Sequence, residues 1–502
     1  MRKIPLQLGR LVLVLLLLPL ACLSASAEED NKADDLFPEE IQKVTEHKVT
    51  IAGKTVSYTA TAGISFVYND AHEKIGSVFY TAYVKKGEKP GQRPITFAYN
   101  GGPGSASVWL HMGTLGPKRV VFDDEGFPTP PPYKVVDNAY SILDKTDLVF
   151  IDPVGTGYSR VGGEGSAEDF HGVWEDVKSV SEFIRLYTTR NGRWGSPKYL
   201  IGESYGTLRS AGIAHHMSEN MGMYFNGVML ISSVLNFAIE NDPNDPTQIM
   251  SPLSLLPAYT ATAWYHKKLS PELQADLEAT LTRARAFALG EYAQVLLQGD
   301  WATEAQTERA IKELAALTGL SEAYVREQKL RISMSEFVHN LLRDEGKTVG
   351  RLDSRFVTDE LDAMAQPGYR DPSYMAIHGP YTGAVMDYLH HDLKFESDLK
   401  YHILGGGVKS WNYEEFADDL FDMSRKLRHA MLRNPDMRVF VANGYYDLAT
   451  PFFATEFNFA HMNLPEALKK NVTMTYYESG HMMYIRKHDL KKLKADLDKF
   501  IR

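Results

Sequence analysis

Short apolar runs that alternate with helical patterns constrain the fold of this chain more than any other feature. Five runs bounded by turn residues are typical of buried parallel strands: "ITFAY", "DLVFI", "KYLIG", "GVMLISS" and "RVFVANG". Between the second and third runs, apolar residues recur at helical spacing over 173–187. The order strand, helix, strand with apolar strands predicts an α/β fold around a largely parallel sheet.

A helix-rich stretch interrupts this pattern at residues 237–400. It is rich in Ala, Glu, Leu, Arg and Gln and has few strand-like runs. Thr303 followed by Gln306 is typical of a capping box at a helix start. We therefore expect a mostly helical insertion, or cap, in the α/β core. The predicted division is a polar lead-in at 28–45, a first core part at 46–236, the insertion at 237–400 and a second core part at 401–502.

The first 27 residues have the pattern of a secretory signal peptide. Basic residues precede the apolar stretch "LVLVLLLLPLACL", which is short for a bilayer span, and Ala25-Ser26-Ala27 fits a cleavage site. Cys22 is the only cysteine, and Pro19 argues against lipid attachment there. We expect a secreted or periplasmic mature chain that starts at Glu28 and has no transmembrane span. A mature chain without cysteine suits a bacterial periplasm or exterior.

Charge and motifs argue against several functions. The formal net charge is −10 and no Lys/Arg cluster stands out, so no nucleic-acid partner is expected. The histidine pairs at 215–216 and 390–391 are adjacent and would face apart on a helix, and no H-E-x-x-H occurs, so no metal site is expected. No phosphate-binding or dinucleotide fingerprint is present, and no cofactor is expected.

The stretch "IGESYG" places Ser204 between two glycines, where a strand gives way to a helix. This G-x-S-x-G pattern is typical of a nucleophile elbow, a tight turn that presents a serine hydroxyl at the edge of a sheet. The motif alone is weak, because chance supplies it in about one of six chains of this length. The strand before it and the helix after it favour the elbow.

A glycine-rich loop, "NGGPG", follows the strand "ITFAY" and begins at Asn100. Such a loop can present backbone N–H groups without side-chain obstruction, as an oxyanion hole requires. The N–H groups of Gly102 and Tyr205, the residue after the serine, are the candidate donors. The alternative is an ordinary glycine turn.

Asp447 and His481 each follow a strand-like run, "RVFVANG" and "TYYESG" respectively. An isolated aspartate in such a place is usually a turn or cap residue, and an isolated histidine is usually structural. The chain order Ser204, Asp447, His481 is nevertheless the order of the α/β-hydrolase triad. We therefore predict that these three residues form a catalytic triad.

The successive motifs "YNGGPGSAS", "IDPVGTGYS", "IGESYGT", "NGYYDLATP" and "SGHMMY" resemble those of the serine carboxypeptidases, peptidase family S10. The resemblance covers roughly residues 50–500 and keeps the motifs in order. It implies an α/β-hydrolase fold with a helical cap over the site, in a bacterial-type member. It also implies a substrate, a peptide with a free C-terminal carboxylate, from which terminal residues are removed.

The resemblance implies how the substrate carboxylate is held. In the family, the loop asparagine and the glutamate before the nucleophile bind it, which are Asn100 and Glu203 here. A glutamate donates a hydrogen bond only when protonated, so its pKa must be raised. The alternative for Glu203 is a solvated or structural acid. Thr114 stands where the family usually has a second glutamate. Its hydroxyl is expected to bind the substrate carboxylate at any pH, but the repulsion by a second carboxylate that would raise the pKa of Glu203 is missing.

The pocket for the terminal side chain is expected to involve the "SVWLHM" segment, Met482 and the insertion. Two other functions fit the same residues in part. One is an esterase or acyltransferase that uses the same acyl-enzyme. The other is a secreted binding protein without activity on a hydrolase scaffold, although such proteins typically lose a triad residue. A blocked dipeptide distinguishes terminal trimming, ester cleavage alone, and no reaction.

Overall fold

The computed structural model describes residues 38–237, 248–359, 371–408, 410–413 and 422–501. The predicted signal peptide, 1–27, and the lead-in up to residue 37 lie outside the described residues. The strands are β1 (Ile41–Ile51), β2 (Lys54–Tyr68), β3 (Lys74–Lys85), β4 (Ile95–Tyr99), β5 (Lys118–Val120), β6 (Val135–Asp137), β7 (Asp147–Ile151), β8 (Arg160–Val161), β9 (Lys198–Ser204), β10 (Gly227–Ser233), β11 (Lys347–Val349), β12 (Val357–Asp359), β13 (Arg438–Gly444) and β14 (Val472–Tyr477).

The α-helices include several that are only one or two turns long. They are α1 (Val108–Leu110), α2 (Val173–Arg190), α3 (Tyr205–Asn220), α4 (Met250–Tyr265), α5 (Pro271–Gln274), α6 (Leu277–Phe287), α7 (Ala293–Gln298), α8 (Glu304–Thr318), α9 (Glu322–Glu327), α10 (Met334–Asn340), α11 (Pro372–His391), α12 (Ser424–Arg433), α13 (Phe452–His461), α14 (Glu466–Lys469) and α15 (Lys487–Phe500).

A single large sheet has the strand order β1-β2-β3-β7-β4-β9-β10-β13-β14, with β8 paired to β3. The strands from β7 to β14 along this order run parallel, and β1, β2 and β3 form an antiparallel meander beside them. Each of the five apolar runs predicted as strands lies in the parallel part. The predicted α/β-hydrolase fold is confirmed.

Both faces of the sheet are buried, which explains why apolar residues follow one another along its central strands without polar alternation. Tyr199 and Ile201 of β9 point into one hydrophobic cluster and Leu200 between them points into the other, as a period of two requires. Helices α11 and α15 contribute to the first cluster. Helices α2, α3 and α12 contribute to the second.

The segment between residues 250 and 391, from α4 to α11, lies between β10 and β13 in the chain and is called here the inserted segment. Its helices α4 to α10 share a third hydrophobic cluster with residues 445–453. Helix α11 packs instead with the sheet. Thr303 and Gln306 form the predicted capping box at the start of α8. Within the described ranges, no helix combines the length and apolarity that a membrane crossing requires.

Strand β1 begins at Ile41, so residues 41–45 are not part of a loose lead-in as the sequence predicted. The whole of β1 pairs with β2 in an antiparallel ladder, from Ile41 opposite Ile64 to Ile51 opposite Lys54. It is an edge strand, and most of its side chains up to Thr50 are exposed or partly exposed. Its charged sequence therefore lacks the apolar alternation that marks a strand, and charged residues protect such an edge from unwanted pairing.

A buried ion pair joins helices α2 and α3 directly beneath the glycine-rich loop. The Arg209 side chain donates from Nε to Asp176 Oδ2 at 2.7 Å and from Nη1 to the Asn100 carbonyl oxygen at 2.6 Å. The side chains of Arg209 and Asp176 are 1% and 2% exposed. Burial raises the pKa of Asp176, and the Arg209 charge opposes that rise. Arg209 therefore both neutralises a buried carboxylate and holds the loop at Asn100.

We expect Arg209→Leu to lower the free energy of unfolding by about 3–5 kcal/mol, because Asp176 would remain buried without a partner. The matched control is Arg309→Leu, which removes an exposed pair with Glu291 and should cost less than about 1 kcal/mol. Urea denaturation measures both. Adding Asp176→Leu to Arg209→Leu should recover part of the loss. Equal effects of the two single substitutions would contradict this account.

Candidate active site

The four predicted motifs end at one edge of the sheet. Ser204 ends β9, and Asn100 follows the neighbouring strand β4. Asp447 and His481 follow β13 and β14, which are also neighbours. Because these strands are parallel, their carboxyl ends lie together, where ligands bind in open α/β sheets.

Ser204 lies in a strained turn between β9 and α3. Its φ and ψ are 59° and −131°, a conformation that residues with a side chain rarely adopt. A Cβ atom at position 202 would overlap the carbonyl oxygen of Gly206, so the turn can close only with glycine there. The sequence prediction of an elbow at this serine agrees with this geometry.

The glycine-rich loop packs directly on this turn. A Cβ atom at position 101 would lie 2.5 Å from the amide nitrogen of Tyr205, which leaves room only for glycine. Gly102, with φ of 102°, lines the same cavity as Ser204 and Tyr205. The backbone of the loop and the backbone after the serine therefore converge beside the serine side chain.

Asp447 and His481 are hydrogen-bonded: Nδ1 of the imidazole lies 2.7 Å from Oδ2 of the carboxylate. Asp447 is completely buried, and its carboxylate also accepts from the Ala449 and Thr450 amides and from the Thr450 hydroxyl at 2.6 Å. Because the carboxylate only accepts, the proton of a neutral imidazole lies on Nδ1 and Nε2 is left as an acceptor.

The pKa of His481 is raised above its usual value. Burial opposes the charged imidazole, but the charge of Asp447 and its hydrogen bond outweigh burial, and the Glu203 charge adds to them. The positive charge of Arg351 acts in the opposite direction. The imidazole is therefore well suited to accept and hold a proton.

Backbone contacts fix the loop that carries His481. Its amide donates to the Leu352 carbonyl at 2.6 Å, and its carbonyl accepts from the Ser232 hydroxyl at 2.6 Å. The Gly480 amide donates to Oδ2 of Asp353 at 3.1 Å. Residues from β10 and from the inserted segment therefore hold this loop in place.

Glu203 is a buried carboxyl group with two donors. It is 2% exposed and accepts from Asn100 Nδ2 at 2.9 Å and from the Tyr484 hydroxyl at 2.6 Å. Burial raises its pKa to about 7, although the His481 charge and the two hydrogen bonds lower it and the Asp447 charge raises it. The group therefore changes charge near neutral pH.

The structure does not bring Thr114 to the cavity. It is buried, at 1% exposure, in the π-helical turn His111–Leu115 and does not line the cavity. Its neighbour Gly113 packs against the rings of Tyr381 and Tyr484. Burial and the Glu203 charge raise the pKa of Tyr484 well above its usual value, so its hydroxyl stays protonated and donates to Glu203. A tyrosine thus supplies a second partner for this glutamate.

These residues surround a cavity of about 250 Å³. The predicted residues that line it are Asn100, Gly102, Glu203, Ser204, Tyr205, His481 and Met482. Trp109 from the "SVWLHM" segment lines it too, as do Arg351, Leu352, Tyr374 and Ile377 from the inserted segment. Within the described ranges, no group of three or more His, Cys, Asp or Glu side chains is arranged to hold a metal ion.

Sequence reasoning missed three side chains of this region. Thr450 lies three residues after Asp447 in "DLATP", and this short spacing after a turn could have indicated a partner for the carboxylate. Tyr484 and Arg351 gave no such signal, because their positions depend on contacts between distant parts of the chain.

Curated relatives, for example one from a plant and one from an animal, match part of the chain. Serine carboxypeptidase-like 9 from Arabidopsis thaliana is 25% identical over 148 residues, 28% of this chain and 31% of that protein. Serine carboxypeptidase ctsa-3.1 from Caenorhabditis elegans is 27% identical over 209 residues, 39% of this chain and 32% of that protein. The chain therefore spans about a third of the length of these curated relatives.

The solved structure of a proline iminopeptidase from Mycobacterium smegmatis superposes on 91% of this chain and 97% of its own, with a TM-score of 0.34 and 12% identity. A likeness at this level carries no weight for function. The model of the serine carboxypeptidases, peptidase family S10, matches residues 56–495, which is most of the sequence. The chain therefore belongs to the serine carboxypeptidase family.

Proposed function

We propose that this protein is a serine carboxypeptidase that removes C-terminal residues from peptides through an acyl-enzyme on Ser204. The observation that carries the proposal is the buried Asp447–His481 hydrogen bond of 2.7 Å beside a cavity that Ser204 also lines. Acyl transfer needs a nucleophile, a base and a group that orients the base. The three residues supply these roles in the order expected for an α/β-hydrolase.

In the first half of the reaction, Ser204 Oγ attacks the carbonyl carbon of the last peptide bond while His481 accepts the hydroxyl proton. Asp447 keeps the ring in the tautomer that accepts at Nε2 and stabilises the imidazolium. The carbonyl oxygen becomes an oxyanion, for which the Gly102 and Tyr205 N–H groups are the proposed donors. The C–N bond then breaks, and the leaving amine takes the proton from His481.

In the second half, water attacks the acyl-enzyme while His481 accepts a proton from it. The C–O bond to Ser204 breaks, Ser204 regains its proton, and the shortened peptide leaves as an acid. A carboxylic ester could form the same acyl-enzyme. A protein that cleaves esters but not peptides would therefore be an esterase or acyltransferase rather than a carboxypeptidase.

Asn100 and Glu203 are the proposed ligands of the substrate's terminal carboxylate, and Met482 is a proposed wall of the adjacent pocket. Protonated Glu203 can donate to a carboxylate, whereas ionised Glu203 repels it. The pKa of about 7 supports this role, because the protonated form is available in mildly acidic solution. We predicted from the sequence that Thr114 also binds this carboxylate, but Thr114 does not line the cavity. The hydrogen bond from Tyr484 to Glu203 favours Tyr484 as the residue that modulates Glu203.

We also propose that residues 46–236 and 401–502 form the catalytic core and that 237–400 form a cap. The inserted segment supports this division, because it has its own hydrophobic cluster and contributes four residues to the cavity wall. Helix α11 qualifies the division, since it packs with the sheet.

Ser204→Ala tests the proposed nucleophile. We expect kcat on a blocked dipeptide to fall by at least about 10⁴-fold, because no hydroxyl remains to form the acyl-enzyme. Mass spectrometry of a longer peptide should show residues lost one by one from the C-terminus with the native chain and none with the variant. Labelling by a fluorophosphonate should also disappear. Undiminished labelling of Ser204→Ala would place the nucleophile elsewhere.

The pH dependence tests Glu203 and its partner Tyr484. Since the active form needs protonated Glu203 and neutral His481, kcat/KM on a free-acid peptide should follow a bell, with the alkaline limb near pH 7 from Glu203. Tyr484→Phe removes a donor to the ionised carboxylate, so it should shift the alkaline limb to higher pH. Glu203→Gln should abolish that limb and leave the acid limb in place, because Glu203 is already protonated and uncharged on the acid side of the bell.

A neutral ester is the control substrate for this pH series, because it has no carboxylate for Glu203 to repel. Its alkaline limb should not move in Tyr484→Phe. If both variants keep the native alkaline limb on the free-acid peptide, Glu203 does not bind the carboxylate.

We further propose secretion to a bacterial periplasm or exterior, with cleavage after Ala27. The basic, apolar and small-residue order of the first 27 residues supports this proposal, as does the lack of any cysteine after Cys22. The intact mass of protein recovered from the periplasm or medium should correspond to a chain that begins at Glu28. A recovered chain that still carries the "LVLVLLLLPLACL" stretch would contradict it.

A further inference from the structure

Arg351 brings an unused positive charge to the cavity. It is partly buried and lines the cavity together with Ser204 and His481. Among the described residues, its guanidinium has no hydrogen-bond or ion-pair partner within 4 Å, although its backbone does. An arginine has five N–H donors, so the Arg351 guanidinium is available to a bound group that accepts hydrogen bonds.

The backbone holds Arg351 firmly beside the catalytic loops. Its amide donates to Oδ1 of Asp371 at 3.1 Å, and its carbonyl accepts from the Leu448 amide at 3.0 Å. The next residue, Leu352, accepts from the His481 amide at 2.6 Å. The backbone of residues 351–352 therefore contacts both the Asp447 loop and the His481 loop. The Arg351 side chain makes neither contact and is available to a ligand.

The surrounding wall strengthens the effect of this charge. Trp109, Tyr374, Ile377 and Leu404 line the same cavity, and apolar walls raise the strength of a charge interaction. Within the described lining, Arg351 is the side chain with a permanent positive charge. An anionic group on the substrate is the complement to such a surface.

The other candidate ligands have few donors left for an anion. One of the two N–H bonds of the Asn100 amide group is used by Glu203, and both oxygens of Glu203 already accept hydrogen bonds. Above its pKa, Glu203 is itself negative. A carboxylate in this cavity therefore needs a further donor, and Arg351 offers the planar fork that suits one.

We propose that Arg351 is a substrate-binding residue that takes a carboxylate of the peptide, either the terminal α-carboxylate or an acidic side chain next to the scissile bond. This inference rests on the proposed function, since it assumes that peptides react in this cavity. The chemistry is the same in both cases, a charge-assisted hydrogen bond from guanidinium to carboxylate. The preferred substrates are accordingly acidic or free-acid peptides rather than uncharged ones.

The test measures kcat/KM of Arg351→Gln on three kinds of substrate. The first kind is blocked dipeptides with a free C-terminus and uncharged side chains. The second kind is peptides that differ from the first only in having glutamate, in place of an uncharged glutamine, on one side or the other of the scissile bond. The third is a neutral ester of a blocked amino acid, which has no carboxylate. Arg351→Lys, which keeps the charge, and Arg309→Gln, in an exposed pair outside the cavity, are the controls.

We expect Arg351→Gln to lose about 10- to 100-fold on the substrates that use the contact, mainly in KM, and to stay within about twofold on the neutral ester. A loss on all free-acid peptides identifies the α-carboxylate, and a loss confined to the glutamate peptides identifies the side chain. Arg351→Lys should recover part of the loss, and Arg309→Gln should match the native protein.

Two results overturn the inference: an unchanged kcat/KM on every substrate, or an equal loss on the peptides and the neutral ester. The second result would mean that Arg351 acts only through its charge, which lowers the pKa of His481. Failure of the proposed function is a separate outcome, in which the native protein cleaves the ester but none of the peptides.

Discussion

The packing of the glycine-rich loop on the turn at Ser204 is the contact on which the rest of the site depends. Glycine at 101 lets the loop approach the Tyr205 amide, and Arg209 holds the Asn100 carbonyl from beneath. This approach places the turn at Ser204, the glycine-rich loop and the Asn100–Glu203 hydrogen bond next to one another. Neighbouring parallel strands β4 and β9 make the approach possible, because their carboxyl ends are adjacent.

Much of this arrangement could be predicted because it rests on local signals. A strand buried on both faces must be apolar at successive positions, so β9, β10 and β13 were visible as unbroken runs. Asn100, Ser204, Asp447 and His481 each follow such a run or a weaker one. Parallel strands bring their carboxyl ends to one edge, and the sequence therefore identified this edge of the sheet before any contact was known.

What could not be predicted depends on tertiary contacts. Tyr484 donates to Glu203 across 281 positions of chain, and nothing in "HMMY" shows which way that side chain points. Thr114 stands where the family usually has a second glutamate. The partner of Glu203 is instead Tyr484, which lies in a different loop. Strand β1 was missed for the opposite reason: an exposed edge strand buries too little surface to impose an apolar pattern.

The short run 351–353 joins the proposed substrate contact at Arg351 to the support of the imidazole. Its backbone accepts from the Leu448 and His481 amides. The Asp353 carboxylate accepts from the Gly480 amide, and Arg355 holds it with a bidentate ion pair, from Nε to Oδ1 and from Nη2 to Oδ2. These contacts do not involve the side chain at 351. A change of that side chain can therefore alter which substrates bind without moving His481. A change at 353 would instead leave the buried Arg355 without its ion-pair partner and remove the contact to the Gly480 amide.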